Sequence, residues 1–315
     1  MDAELTVDRY LDRWLTVLRT RVQPTTWRSY DDMARIYLRP HLGAVPLTDL
    51  TVAGLNLLFV DLLGSGGRRG GPLSRRTVKY AHAVLHKALA DAVREGVLTD
   101  NVASHVTVPR IDPNRDPLDP VRQTWDAQQA QRFLALTAGQ PLHDLWRVAL
   151  GTGMRRGELL GLRWQDVDLD VPQLRVSTSL AFIDDEPYLK GTKTGHSRVL
   201  HLDDDTAAAI ARQPRHDTGL PLVFTTPAGT PWSPQVISDR WRSQWPGLPL
   251  PRARLHDLRH VHATLLLQHG VSIKVVSSRL GHRTIALTMD VYAHVLPAMD
   301  QDAAVAIGRA LTNGD

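Results

Sequence analysis

Pro109-Arg-Ile-Asp-Pro-Asn-Arg-Asp-Pro-Leu-Asp-Pro120 divides this chain of 315 residues into two parts. Its four prolines lack amide donors and push the residues before them into extended backbone, so neither a helix nor a strand persists through it. The stretch therefore reads as a linker over residues 109–120, with one domain before it (1–108) and another after it (121–315). A hydrophobic content of 43% is enough for two buried cores.

Before the linker the apolar residues keep helical spacing. Val7, Tyr10, Leu11, Trp14, Leu15 and Leu18 form one stripe. Pro24 opens a second helix carrying Trp27, Tyr30, Ala34, Tyr37 and Leu38, and a third covers Val52 to Leu63. After the Gly-rich loop Gly64–Gly71, Ser74 is placed to cap a long helix with the stripe Val78, Ala81, Leu85, Ala88, Leu89 and Ala92. This half reads as a helical bundle. Beyond the linker the pattern is mainly α with a small β-sheet, an α+β domain. Helices are expected at Ala127–Leu136 and Leu142–Leu150, and short strands at Leu174–Ser179 and at Tyr188–Lys190 paired with Arg198–Leu202. The glycines of Gly191-Thr-Lys-Thr-Gly-His-Ser197 would turn that last pair into a hairpin with Lys193 near its tip.

Cysteine is absent, so disulfides, thiolate metal sites and cysteine nucleophiles are excluded. No apolar run approaches the roughly 18 residues of a membrane span, and the first residues lack the pattern of a secretion signal, so the chain reads as intracellular, with no membrane partner. Residues 1–110 hold 15 Lys and Arg against 11 Asp and Glu, and the remainder is balanced. Within Gly64–Arg94 the cations Arg68, Arg69, Arg75, Arg76, Lys79, Lys87 and Arg94 face only Asp91, which is a nucleic-acid-sized patch. Arg75 and Arg76 fall in the first turn of their helix, where the macrodipole disfavours cations, and a bound phosphate would relieve that conflict. Arg68, Arg69, Arg75, Arg76 and Lys79 are the candidate DNA-contacting residues.

Four segments carry candidate chemistry. In Thr152-Gly-Met-Arg-Arg-Gly-Glu158, the glycines punctuate a helix end, Arg155 begins the next helix, and Glu158 stands three residues on. In His256-Asp-Leu-Arg-His-Val-His262, helical spacing sets His256 beside Arg259, a cationic fork next to an imidazole. In Leu280-Gly-His282, the glycine can end a helix in left-handed geometry and leave the histidine at a loop mouth. Asp290-Val-Tyr-Ala-His-Val295 presents Tyr292. Each residue alone has a plainer reading: a surface ion pair for Arg155 and Glu158, a half-buried core tyrosine for Tyr292, a solvated turn for Lys193.

Taken together and in this order, the segments resemble the tyrosine recombinases, the phage-integrase family. The family pattern arginine, lysine, His-x-x-Arg, histidine, tyrosine finds Arg155, Lys193, His256, Arg259, His282 and Tyr292 here, with Glu158 at the acidic position after the first arginine. Thr288-Met-Asp-Val-Tyr-Ala-His-Val295 is especially family-like. The resemblance implies a SAM-like core-binding domain before the linker, an integrase-type catalytic domain after it, and double-stranded DNA as partner. It also implies action as a homotetramer on two DNA sites inside the cell, with no metal and no cofactor.

The chemistry makes sense of these residue types. Two guanidiniums, Arg155 and Arg259, can offset the charge of a phosphodiester while a nucleophile attacks in line. A tyrosine phenol forms a phosphate ester close in energy to the bond broken, which keeps the link available for rejoining. His256 and His282 can accept the phenol proton or bind phosphoryl oxygens, Lys193 by family analogy protonates the leaving oxygen, and Glu158 orients the network. Three readings compete. A type IB topoisomerase shares the chemistry, and a DNA-binding regulator would share the fold without catalysis. A zinc hydrolase would use His256, His260 and His262, but Asp257 is short for its general base and Arg259 would oppose a dication.

Overall fold

The computed structural model describes residues 5–67, 70–109, 125–191, 197–216, 219–282 and 284–292, with 304, 305, 307, 308 and 311. The chain divides into two compact units, Met1–Val121 and Arg122–Asp315. Each has its own apolar core. Most of the proline-rich stretch, 110–120, lies outside the described residues.

The first unit is helical: α1 (Val7–Leu18), α2 (Pro24–Met33), a π-helical turn over Ala34–Leu38, α3 (Arg39–Leu42), α4 (Val52–Ser65) and α5 (Arg75–Arg94). All six residues of the first stripe are buried, as are the six named on α5. Ser74 Oγ accepts from the Thr77 amide at 3.2 Å, the expected cap. The second helix does not run straight through. Pro40 cannot donate a ladder hydrogen bond, and the turn before it widens over Ala34–Leu38. Long-range polar contacts tie α1 to α5: the Trp14 indole donates to Asp91 at 2.7 Å, and the Tyr10 hydroxyl to the Ala88 carbonyl at 3.1 Å.

The second unit opens with α6 (Ala127–Thr137), α7 (His143–Thr152) and the short α8 (Arg156–Leu160). Five strands follow, β1 (Val167–Asp168), β2 (Gln173–Val176), β3 (Thr178–Ile183), β4 (Glu186–Gly191) and β5 (Arg198–His201). The helices α9 (Asp204–Ala211), α10 (Pro234–Ser243), α11 (Asp257–Gln268), α12 (Ile273–Leu280) and α13 (Ile285–Tyr292) complete it. Its core centres on an aromatic cluster of Trp125, Phe133, Trp146, Trp241 and Trp245. Two of the indoles donate to backbone carbonyls, Trp241 to Ala253 and Trp125 to Pro251, which satisfies their polar ends in the apolar interior. Among the described residues, no helix is long and apolar enough to cross a membrane.

The strand pairing differs from the expected one. The segment Leu174–Ser179 is two strands in two sheets: β2 pairs with β1 and β5, while β3 pairs with β4. Tyr188–Lys190 therefore lies against β3, with Ser179 opposite Lys190, and not against Arg198–Leu202. The cause is a two-residue turn at Asp184 and Asp185, both with positive φ (51° and 66°), which closes β3 onto β4 with the twist that adjacent strands need. Asp-Asp is a poorer turn former than Asn-Gly, so the stronger glycine signal at 191–195 pointed to the wrong hairpin. Residues 192–196, Lys193 among them, lie outside the described residues.

Candidate active site

The site is built where the carboxyl ends of α7 and α12 come together. Helix α7 stops at Gly153, whose φ of +63° is left-handed and whose amide donates to Ala149 O at 3.0 Å. Helix α12 stops at Gly281, φ +64°, in a Schellman arrangement: the Gly281 amide donates to Ser278 O and the His282 amide to Ser277 O. Both ends present carbonyl oxygens at the negative pole of a helix dipole, and arginines fill the space between them.

Arg259, one turn into α11 and only 4% exposed, donates from Nη1 to Gly153 O (2.7 Å) and from Nη2 to Leu280 O (2.6 Å). Arg155, immediately before α8, donates from Nη2 to Gly281 O at 3.2 Å. The structure thus brings together two arginines far apart in sequence, on adjacent carbonyls. His256 sits at the amino end of α11, beside Arg259 as the spacing predicted. His282 follows Gly281, and its Nδ1 is hydrogen-bonded to the buried Thr288 Oγ of α13 at 2.7 Å. Tyr292 is the last residue of α13, one turn beyond Thr288.

Glu158 is not the surface partner that its spacing suggests. It is buried, its Oε2 accepts the Arg155 amide at 3.0 Å, and its Oε1 accepts Arg155 Nη1 at 2.8 Å. Arg198 of β5 closes the other side, donating from Nη2 to Glu158 Oε2 at 2.7 Å and from Nε to Arg279 O at 2.7 Å. Burial by itself would raise the Glu158 pKa, but the hydrogen bond and charge of Arg198, with the amide and charge of Arg155, hold it down to about 2. The carboxylate stays ionised. His282 is held down to about 4 by burial and then by the charges of Arg259 and Arg155, and His256 is lowered by burial and then by Arg259. Both imidazoles are neutral near pH 7 and can take up a proton or accept a hydrogen bond.

Sequence reading did not place two residues in this network. One is Arg198. Its signal was a charge in the inward register of a strand, in phase with buried Leu200, while the alternating Val199 is exposed. The other is His262, whose Nδ1 donates to Leu150 O at 2.7 Å and whose ring lies against Gly153. Among the described residues, no three His, Asp or Glu side chains converge with metal-ligand geometry. Asp257 is engaged by the Arg254 amide at 2.8 Å.

Gly153 is where packing is tightest. A Cβ there would stand 2.6 Å from His262 Cδ2 in a backbone region that L residues avoid. Gly153→Ala is expected to destabilise the protein by about 2–4 kcal/mol, from left-handed strain plus overpacking. A thermal melt with no drop relative to the parent would show that α7 and α11 accommodate the methyl.

In the first unit Arg75, one of the candidate DNA-contacting residues, is engaged by the backbone. Its Nε donates to Pro109 O at 2.8 Å, so its guanidinium is turned toward the chain leaving the bundle, and backbone carbonyls answer its charge. Arg76 and Lys79 do line an open cleft of about 530 Å³, together with Met33, Thr77, Tyr80 and Ala83. Arg68 and Arg69 lie outside the described residues.

Residues 123–299 match the phage integrase family, more than half of the chain, and residues 6–56 match the phage integrase N-terminal SAM-like domain. The chain belongs to the phage integrase family. The second unit is a tyrosine recombinase catalytic domain, and the family breaks and rejoins DNA. Among its relatives is a tyrosine recombinase XerC-like protein of Caldanaerobacter subterraneus, 24% identical, with the match spanning 95% of this chain and 82% of that protein. The fold is similar to that of the Tn1549 transposon integrase in complex with a circular intermediate DNA, with TM-score 0.75, 19% identity, and coverage of 91% of this chain and 95% of that one. It is also similar to a lambda integrase tetramer bound to a Holliday junction, with TM-score 0.67, 19% identity, and coverage of 89% and 78% respectively.

Proposed function

We propose that this integrase cuts and rejoins duplex DNA at specific sites through a 3′-phosphotyrosyl bond to Tyr292. The observation that carries the reading is the convergence of Arg155 and Arg259 on the adjacent carbonyls of Gly281 and Leu280, beside His282. Two guanidiniums held by backbone oxygens are preorganised, so they offset the growing charge on a phosphoryl group without first having to reorient. Tyr292 Oη attacks phosphorus, the bond to the 5′ oxygen breaks, and the phenol proton passes to neutral His256 or His282. Lys193, by the family pattern, returns a proton to the departing 5′ oxygen. Glu158 orients Arg155 and takes no proton itself. Attack by a 5′ hydroxyl on the phosphotyrosine reverses every step, so no external energy source is required.

Arg76 and Lys79, with Arg68 and Arg69, would hold the DNA backbone from the first unit. Their contribution should be salt-dependent. Action as a tetramer on two sites rests on likeness to the lambda integrase assembly. Val305 and Leu311 near the chain's end, 52% and 78% exposed, offer apolar contacts that a neighbouring subunit would cover.

The test is covalent trapping. Parent protein and Tyr292→Phe are incubated in EDTA with a pool of randomised nicked duplexes, then denatured. A protein–DNA adduct in the parent alone is expected. Strand cleavage without an adduct, dependent on added zinc or magnesium, would overturn the tyrosine nucleophile in favour of a metal hydrolase.

A further inference from the structure

Three arginines close the carboxyl end of α12, one carbonyl each: Arg198 on Arg279 O, Arg259 on Leu280 O and Arg155 on Gly281 O. Two of them also share one carboxylate. Glu158, with its side chain 4% exposed, lies between Arg155 (35% exposed) and Arg198 (11% exposed), so of that pair only Arg155 has a face open to a ligand. The arrangement has a charge consequence. One buried anion between two cations leaves a net positive charge, whereas the same anion with Arg155 alone would be a neutral pair turned in on itself.

We propose that Arg198 is a positioning residue for DNA cleavage: it takes up the Glu158 carboxylate and the Arg279 carbonyl, so that the charge of Arg155 is not offset by Glu158 alone and its guanidinium stays aimed at the scissile phosphate. The inference rests on the phosphotyrosine reading above. In this role Arg198 acts through Glu158 and through the end of α12 that carries His282. Its place also depends on Gly281, where a Cβ would stand 2.9 Å from Arg198 Nη1. A side chain at 281 would push the guanidinium off the carboxylate.

A double-mutant cycle separates this role from simple structural support. Adduct formation is timed at saturating randomised nicked duplex for the parent, Arg198→Met, Glu158→Gln and the double variant, with a thermal melt of each. Arg198→Met is expected to slow the adduct by roughly 100-fold, the scale of losing one preorganised electrostatic contact. DNA binding by Arg198→Met should change much less. Adding Glu158→Gln removes the anion that Arg155 would otherwise neutralise, and should restore the rate by about tenfold over Arg198→Met alone. A merely structural buried pair would lose and recover rate in step with the thermal melt, whereas a positioning role changes the rate in variants whose melting does not follow it. If Arg198→Met does not fold, Arg198→Lys carries the test: it keeps the charge and should retain most of the rate. Parental rates in Arg198→Met, or no gain in the double variant, would overturn the positioning role while leaving the tyrosine mechanism standing. No Tyr292-dependent adduct in the parent would bring down both.

Discussion

Arg259→Ala is expected to slow adduct formation by about 100- to 1,000-fold and to cost about 3–5 kcal/mol of stability, because it leaves two buried carbonyls without donors and opens a cavity between them. Arg259 is the only residue of the described site that bridges the two helix ends, with one nitrogen on Gly153 O of α7 and another on Leu280 O of α12. Without it, the negative poles of two dipoles face each other across a gap. The chemical loss has a separate origin. A phosphoryl group entering the site would meet one guanidinium instead of two, and losing a preorganised donor of this kind costs on the order of 100- to 1,000-fold in rate. Arg259→Lys distinguishes the two contributions. Its single ammonium can answer one carbonyl but cannot fork across both, so a large part of the stability should return while the cleavage rate stays low. Chemical denaturation and the trapping assay, run on the same preparations, check both halves. An alanine variant that is as stable as the parent would mean that water satisfies the carbonyls. A lysine variant with the full rate would mean that bidentate geometry is unimportant.

The sequence made the helices legible because their apolar spacing and caps are local: the α1 and α5 stripes, the Ser74 cap and the left-handed glycines at 153 and 281 all rest on residues within a turn or two of one another. Strand pairing is not local. Choosing β3 rather than β5 as the partner of β4 depended on a turn, Asp184-Asp185, whose residue types only weakly favour it. The site was legible in part through a different route, since the order and spacing of seven chemistry-bearing residues resemble a family pattern. What that pattern did not give was the second layer. Arg198 meets Glu158 across 40 residues, and Arg155 meets Gly281 across 126, so no spacing rule connects them. Their contact is a product of packing β5 beside the end of α12. For the same reason the Arg155–Glu158 pair, which spacing alone rates as a weak surface bridge, is an inner element of the network. Its worth depends on burial that the local sequence does not encode.

Burial also gives Glu158 a pH signature. Its pKa in the folded protein, about 2, lies below the ordinary glutamate value near 4.5. A lowered pKa of this sign contributes stability that is fully present above the unfolded value and is lost as pH falls through the folded value. Between about pH 4.5 and 2, protonating this one carboxyl should remove on the order of 3 kcal/mol. Asp203 and Asp257 are lowered too, Asp203 by its Thr206 hydrogen bonds and Asp257 by Arg254, each against the opposing effect of burial. Acid unfolding of the parent therefore sums several groups. Subtracting Glu158→Gln isolates the one of interest, because the aspartates contribute equally to both proteins. At pH 7 the glutamine variant should be less stable by about 3 kcal/mol, since two partly buried guanidiniums lose their buried counter-charge. The gap between the two proteins should then close as pH falls toward 2, where the parent's carboxyl is itself neutral. Denaturant titrations at a series of pH values measure that gap directly. A difference that stays constant with pH would mean that the glutamine destabilises by shape alone. In that case Glu158 would hold Arg155 and Arg198 through hydrogen-bond geometry rather than charge, and the rescue expected of the Glu158→Gln and Arg198→Met pair would lose its physical basis.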